Sequence, residues 1–193
     1  RGRAGAQGFR HWSGNFDETQ DFEGQIRALA QGTGLMSDAL FNTGTRAQPL
    51  GLAKAGVSAD LDALAAYLAS LNTVASSPLR NADGTLTVAA AAGKAVFATQ
   101  CVACHNGASF TDSGAANLRN IGTLKPSSGS RLGAALTGID TPTLRDVWAT
   151  APYLHDGSAL TVADAIAAHT AITLSTTDRA NVAAYVQQIG GDE

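Results

Sequence analysis

The sequence predicts an all-α chain folded as two small helical lobes. Three observations predict it. Apolar residues recur at helical spacing in several segments, while alternating strand patterns are sparse. Side chains suited to capping open those segments: Ser58, then Thr161 with Asp164, then Ser175 with Asp178. A turn-rich stretch, Ser76-Ser77-Pro78 through Asn81-Ala82-Asp83-Gly84, divides the chain into lobes over 1–78 and 79–193.

In the first lobe, Phe22, Ile26 and Leu29 fall at i, i+4 and i+7, which predicts a helix over about 17–30. Residues 31–57 are rich in Gly and Thr and read as loops and short turns. Ser58 caps the next helix, with Asp60 and Asp62 in its first turn, where the helix dipole favours negative charge. Its expected buried face is Leu61, Leu64, Leu68 and Leu71. In the second lobe, residues 86–100 form an Ala-rich helix, residues 106–141 a long loop, and residues 162–170 and 176–190 two further helices. Gly93 and Phe97 are expected to meet the face of Val182, Tyr185, Val186 and Ile189, glycine permitting close approach. The stretch Leu61 to Leu71, with Tyr67, faintly echoes Arg179 to Ile189, with Tyr185. Each reads as the closing helix of its lobe. Two Ala-rich amphipathic helices of similar composition would give the same echo.

Composition narrows the function. The chain has 193 residues and a net charge of −3, which disfavours nucleic acid and anionic membrane as partners. No stretch approaches the apolar length of a membrane-spanning helix, so no membrane insertion is expected. There are 2 Cys, only two residues apart, so no disulfide framework is available.

Those cysteines carry the strongest signal in the chain, Cys101-Val102-Ala103-Cys104-His105. Cys-x-x-Cys-His is the attachment pattern of c-type haem. Two sulfurs at this spacing reach the vinyl groups of one porphyrin edge as thioethers, and the adjacent imidazole becomes the proximal iron ligand. A zinc site would need further ligands, and no other cysteine exists. A redox dithiol would sit in a βαβ pattern, and none is visible. One covalent haem c is the expectation. Its attachment requires export-side maturation, so a periplasmic or extracellular protein is expected, with its leader absent from a chain that opens on Arg1.

The sixth iron ligand is less direct. Small cytochromes of the commonest class use a Met downstream of the haem motif, and the single Met here is Met36, upstream. The candidates are His169, His155, Met36, water or nothing. His169 leads, because on a helix from 162 it shares an apolar face with Val162 and Ile166. Two imidazoles would give low-spin, six-coordinate iron, suited to electron transfer, at a lower potential than His/Met ligation. His155 lies in a turn signature, Pro152 to Gly157, where a hydrogen-bonding role is the alternative. His11, beside Trp12, reads as surface or interface.

The segments Thr141-Pro-Thr-Leu-Arg145-Asp-Val-Trp148-Ala-Thr150-Ala-Pro152-Tyr153-Leu-His155-Asp-Gly-Ser158 and Leu160-Thr-Val-Ala-Asp-Ala-Ile166 resemble the C-terminal half of the bacterial dihaem cytochrome c peroxidase/MauG superfamily. With the haem motif, the resemblance spans about residues 84–190. It implies a cytochrome c-like fold and a distal ligand shortly after the His-Asp-Gly turn. Fourteen residues past His155, where the peroxidases carry that ligand as Met, this chain has His169. The resemblance also implies that Arg145, Tyr153 and Trp148 lie near the haem or its propionates, plain packing being the competing role for each. It implies calcium held between the halves by the carbonyls of Thr150 and Pro152 and an Asn such as Asn15.

The chain departs from the pattern in having one haem motif where the family has two. His11-Trp12-Ser-Gly14-Asn15-Phe16 faintly resembles part of the family's peroxidatic domain, with no cysteine to hold a haem there. The expectation is therefore a monohaem electron-transfer unit whose first half is a haem-less, degenerate cytochrome-like lobe. It would serve a redox protein or another domain of a longer parent chain. The alternative is an enzyme acting on hydrogen peroxide through an open iron position.

Overall fold

The computed structural model of the chain describes residues 8–29, 31–114 and 117–193. Among the described residues, six α-helices run in order: α1 (Phe22–Leu29), α2 (Asp38–Phe41), α3 (Ala59–Ser70), α4 (Val88–Gln100), α5 (Val162–Ala167) and α6 (Thr176–Val186). Short 3-10 turns form at Thr19–Asp21, Pro126–Ser128 and Val147–Ala149. The long 106–141 loop contains one small antiparallel pair, β1 (Ser130–Arg131) with β2 (Ala134–Ala135), which the all-helical reading did not anticipate. Too few side chains alternate there to leave a strand pattern.

The caps fix the helix starts. Ser58, Thr87, Thr161 and Ser175 each accept from a backbone N–H in the first turn, satisfying donors that the helix leaves open. The α5 helix stops at Ala167, short of the expected 170, and His169 lies just past its end. The reason is a competing bond: the Thr170 N–H donates to the Ile121 carbonyl (3.1 Å) rather than back into the helix.

The main apolar cluster is the crossing of α4 and α6. Ala90 and Phe97 pack on Val182, Ala183, Tyr185, Val186 and Ile189, with Val162 of α5 closing one side. The Phe97 ring meets Tyr185 edge-on at 5.3 Å and Phe110 at 6.0 Å, a geometry aromatic rings favour. Gly93 faces the backbone of α6, and a Cβ there would run into the Asn181 carbonyl. The dividing segment packs on the end of α6: Ser77 Oγ donates to the Gln187 carbonyl (2.7 Å) and Arg80 Nε to the Gln188 carbonyl (3.1 Å).

The segment from α1 to α3 is held by polar groups more than by the expected leucine faces. Glu23 of α1 is fully buried and accepts from Leu35 N (2.8 Å), Met36 N (3.1 Å) and Arg27 Nε (2.8 Å). Lys54 Nζ and Asp21 Oδ1 meet at 2.6 Å, both side chains 2% exposed. Leu61 is buried, but Leu68 and Leu71 are exposed, and so is Leu29. The expected faces fail there because α3 packs on the Thr19–Asp21 turn near its own start, which covers only its first turns. Ala30, the predicted end of the first helix, lies outside the described residues, as do residues 1–7. The Trp12-Ser13 segment meets the later part of the chain through Asp140 N to the Trp12 carbonyl (2.7 Å) and Arg131 Nε to the Ser13 carbonyl (2.9 Å).

A repeat appears in the backbone. An isolated antiparallel bridge joins Arg10 to Phe16, and another joins Tyr153 to Ala159. In each, the residue after the bridge and a later glycine have positive φ: His11 and Gly14 in one, Leu154 and Gly157 in the other. A capping box then starts a helical turn in each, Glu18 with Asp21 and Thr161 with Asp164.

Candidate haem site

The α4 helix delivers the haem motif. Cys101 is its C-cap, and the chain turns tightly there, Cys104 N and His105 N both donating to the Cys101 carbonyl (3.2 and 2.9 Å). Both cysteines are free thiols and half-buried, with Cys101 packed against the apolar core. Burial, then the neighbouring Cys104, pushes the Cys101 thiol up to about 11. Cys101 is therefore held as the thiol, unlike the low-pKa thiolates of redox-active dithiols.

His105 is oriented by the next turn. Its Nδ1 lies 3.1 Å from the Phe110 carbonyl, an acceptor, so Nδ1 carries the proton and Nε2 carries the lone pair. Phe110 adopts positive φ to present that carbonyl, following Gly107, which does the same. The 141–145 segment clamps the turn in place. Thr111 Oγ1 donates to the Thr141 carbonyl and Thr143 Oγ1 to the Ser109 carbonyl, both at 2.6 Å. Burial drives the His105 pKa down to about 4, so the ring is neutral and available as a ligand near neutral pH. His169 acts on it in the same direction, which places the two imidazoles within Coulombic range of each other.

His169 repeats the arrangement. Its Nδ1 donates to the Ala165 carbonyl at 2.8 Å, again leaving Nε2 with the lone pair. Two histidines, each with Nδ1 fixed to a backbone carbonyl, are the arrangement that orients imidazole for metal ligation. The free cysteine pair and both imidazoles therefore fit a covalent haem. Cys101 and Cys104 would hold the porphyrin, and His105 and His169 would present Nε2 to its iron.

The other sequence candidates sit as follows. His155 Nε2 is taken by Ser128 Oγ at 2.9 Å. Met36 is buried in the first lobe, its N–H on Glu23. The Arg145 guanidinium donates to three backbone carbonyls, those of Ala108 (2.7 Å), Gly190 (2.6 Å) and Glu193 (2.7 Å), tying the haem-motif loop to the chain end. Tyr153 Oη donates to the Val147 carbonyl (2.9 Å). Trp148 is half-buried with its indole Nε1 buried and unpartnered. Asn15 Oδ1 is also buried without a partner, Thr150 Oγ1 bonds the Val147 carbonyl, and the Ala151–Pro152 peptide is cis. The Phe110 and Ala165 carbonyls and the threonine clamps escaped the sequence reading. Backbone acceptors leave no residue signature, and only Asn106-Gly107 marked a turn there.

Comparison with known proteins agrees with this chemistry. Residues 138–173 match the RoxA-like, cytochrome c-like family. Hydrazine synthase subunit gamma of Kuenenia stuttgartiensis is 33% identical over 141 residues, which takes in 55% of this chain. The chain spans 40% of that relative's length. A solved structure of K. stuttgartiensis hydrazine synthase under 20 bar xenon superposes with a TM-score of 0.53 at 27% identity, covering 67% of this chain and 55% of that one. A MauG-like protein associated with microbial copper homeostasis superposes with a TM-score of 0.60, covering 96% of this chain and 70% of that one. At 16% identity, that second likeness is one of fold.

Proposed function

We propose that the chain is a haem cytochrome of the MauG/cytochrome c peroxidase-like superfamily and an electron carrier with one haem c ligated by His105 and His169. The observation that carries the reading is the matched pair of imidazoles, each held by Nδ1 to a carbonyl and each presenting Nε2. With His105 and His169 both holding the iron, no position would be left for peroxide. The haem supplies one-electron iron redox chemistry. The protein supplies rigid imidazole ligands, which lower reorganisation on electron transfer, and a half-buried setting that tunes the potential. The partner in this reading is a redox protein or a neighbouring domain or subunit of a larger enzyme, in the periplasm or outside the cell. A relative that is itself a subunit of a synthase supports the second kind of partner. For calcium, the proposed donors are the unpartnered Asn15 Oδ1 with the Thr150 and Pro152 carbonyls.

EPR and absorption spectra of the ferric holoprotein test the ligation. The expected result is a low-spin bis-imidazole signal in the wild type and a high-spin or water-bound signal in His169→Ala. A sulfur-to-iron charge-transfer band, or an unchanged low-spin spectrum in the variant, would reject His169. An open iron with peroxide turnover above that of free haem would replace the electron-carrier reading with the enzymatic one.

A further inference from the structure

The loop that orients His105 is held in an unfavourable backbone shape. Phe110, whose carbonyl accepts from His105 Nδ1 at 3.1 Å, has φ 53°. That left-handed region is costly for a bulky side chain and persists only where the surroundings impose it. Within the loop, Thr111 N donates to the Asn106 carbonyl (2.9 Å) and so aims the planar Phe110–Thr111 peptide at the imidazole. The aim lasts only while the strained turn stays closed. His169 has no such need, because its acceptor, the Ala165 carbonyl, belongs to α5.

The 141–145 segment closes the turn from outside. Thr143 Oγ1 donates to the Ser109 carbonyl (2.6 Å) and accepts from Arg145 N (3.3 Å). Arg145 Nε donates to the Ala108 carbonyl (2.7 Å), and the centre of its guanidinium lies 5.9 Å from the centre of the Phe110 ring. The other two nitrogens of that guanidinium donate to the Gly190 (2.6 Å) and Glu193 (2.7 Å) carbonyls. The 190–193 segment is braced in turn. Gly191 N donates to the Ala75 carbonyl (3.1 Å), and the Glu193 carboxylate takes Arg80 (3.0 Å) and Lys94 of α4 (2.8 Å). A planar guanidinium holds three acceptors at fixed mutual angles, which a lysine ammonium on its flexible stem does not. One side chain thus ties the strained loop to a fixed point.

We infer that Arg145 is a positioning residue for the iron ligand His105, gripping the loop at Ala108 so that the Phe110 carbonyl stays on His105 Nδ1. The assignment rests on the haem reading above and adds to it what sets the strength of the proximal ligand. A carbonyl held on the Nδ1 proton makes the imidazole a stronger donor to iron, and a stronger donor favours the ferric state. The role needs no contact between Arg145 and the haem.

The test uses the haem-loaded full chain. Arg145→Gln removes the grip, and Arg145→Lys keeps the charge but not the planar fork. Arg80→Gln is the matched control. Arg80 also ties the 188–193 segment, but its bonds go to Gly84, Gln188 and Glu193 rather than to the 106–111 loop. NMR reads solvent exchange of the His105 Nδ1 proton, and spectroelectrochemistry reads the potential. Both Arg145 variants are expected to speed the exchange and raise the potential, and Arg80→Gln to move neither. Should the Arg145 variants fail to fold, Thr143→Val frees the Ser109 carbonyl and is expected to shift both readouts the same way. Unmoved exchange and potential in the Arg145 and Thr143 variants, or equal shifts in Arg80→Gln, would overturn this assignment alone. A wild-type chain that matures without covalent haem, read by its pyridine haemochrome, would overturn both this assignment and the reading it rests on.

Discussion

Gly93→Ala is the sharpest test of the α4/α6 crossing that carries the haem motif. A methyl at 93 would strike the Asn181 carbonyl oxygen and carbon and come within 2.8 Å of the Val182 amide nitrogen. All three atoms are backbone, so no rotamer change relieves the clash, and the helices must move apart. Val182 is 1% exposed and Ile189 0%, so separation opens the tightest part of the core. Overpacking of this kind costs about 1–3 kcal/mol, and a rigid backbone neighbour puts it at the upper end. Alanine's better helix propensity returns about 1 kcal/mol, so a net loss of about 2 kcal/mol is expected. Gly24→Ala in α1 is the control, because nothing lies within 4 Å of a Cβ there. That variant should gain about 0.5–1 kcal/mol. Urea unfolding of the holoprotein, followed by far-UV circular dichroism, measures both. Equal stability of Gly93→Ala and wild type would refute the close crossing.

Two further substitutions address the buried charges. Lys54→Met removes one partner of the 2.6 Å Lys54–Asp21 pair and leaves a carboxylate uncompensated at 2% exposure. A loss of about 3–5 kcal/mol in urea unfolding is expected, and a loss under 1 kcal/mol would show that the pair is solvated. Asp140 tests pH dependence. Burial holds its pKa above the usual carboxylate range, against the Ser113 hydroxyl and the Gly114 N–H, which pull it down. A raised folded pKa means that the stability it contributes is present below the unfolded value and lost as pH rises through the folded one. As pH rises above about 4, Asp140→Asn should therefore lose less stability than wild type. Parallel stability–pH curves for the two proteins would show that Asp140 is not perturbed.

Much of the site was legible because its chemistry is local. Cys101 to His105 is a contiguous motif whose spacing encodes its geometry. The caps at Ser58, Thr161 and Ser175 are likewise read from neighbouring residues, and all three hold. What stayed hidden depends on contacts distant in sequence. The burial of Glu23 rests on amides at 35 and 36, and that of Asp21 on Lys54, neither of which follows a helical period. The expected α3 face was half wrong because periodicity shows which side is apolar, not whether anything covers it. The backbone repeat was invisible because residues 10–21 and 153–164 share only Gly14 with Gly157 and Asp21 with Asp164. Those two identities are the ones the geometry needs, a left-handed position and a capping carboxylate.

That repeat separates what the scaffold provides from what a single side chain provides. Carried forward from the paired capping boxes, it sets Ile26 of α1 against His169. Isoleucine has no lone pair to offer a metal, so the first copy of the turn and helix presents no ligand at that position. It is built for packing instead. Its His11, paired in the repeat with Leu154, lies against Phe16 at 4.8 Å and Phe22 at 5.1 Å, and desolvation by those rings lowers its pKa. The same backbone thus supports an aromatic cluster in one lobe and an imidazole fixed by Ala165 in the other. Likeness of fold to a MauG-like protein therefore accounts for the scaffold but not for a redox role. The proposed iron ligation turns on that one position, Ile26 in the first copy and His169 in the second.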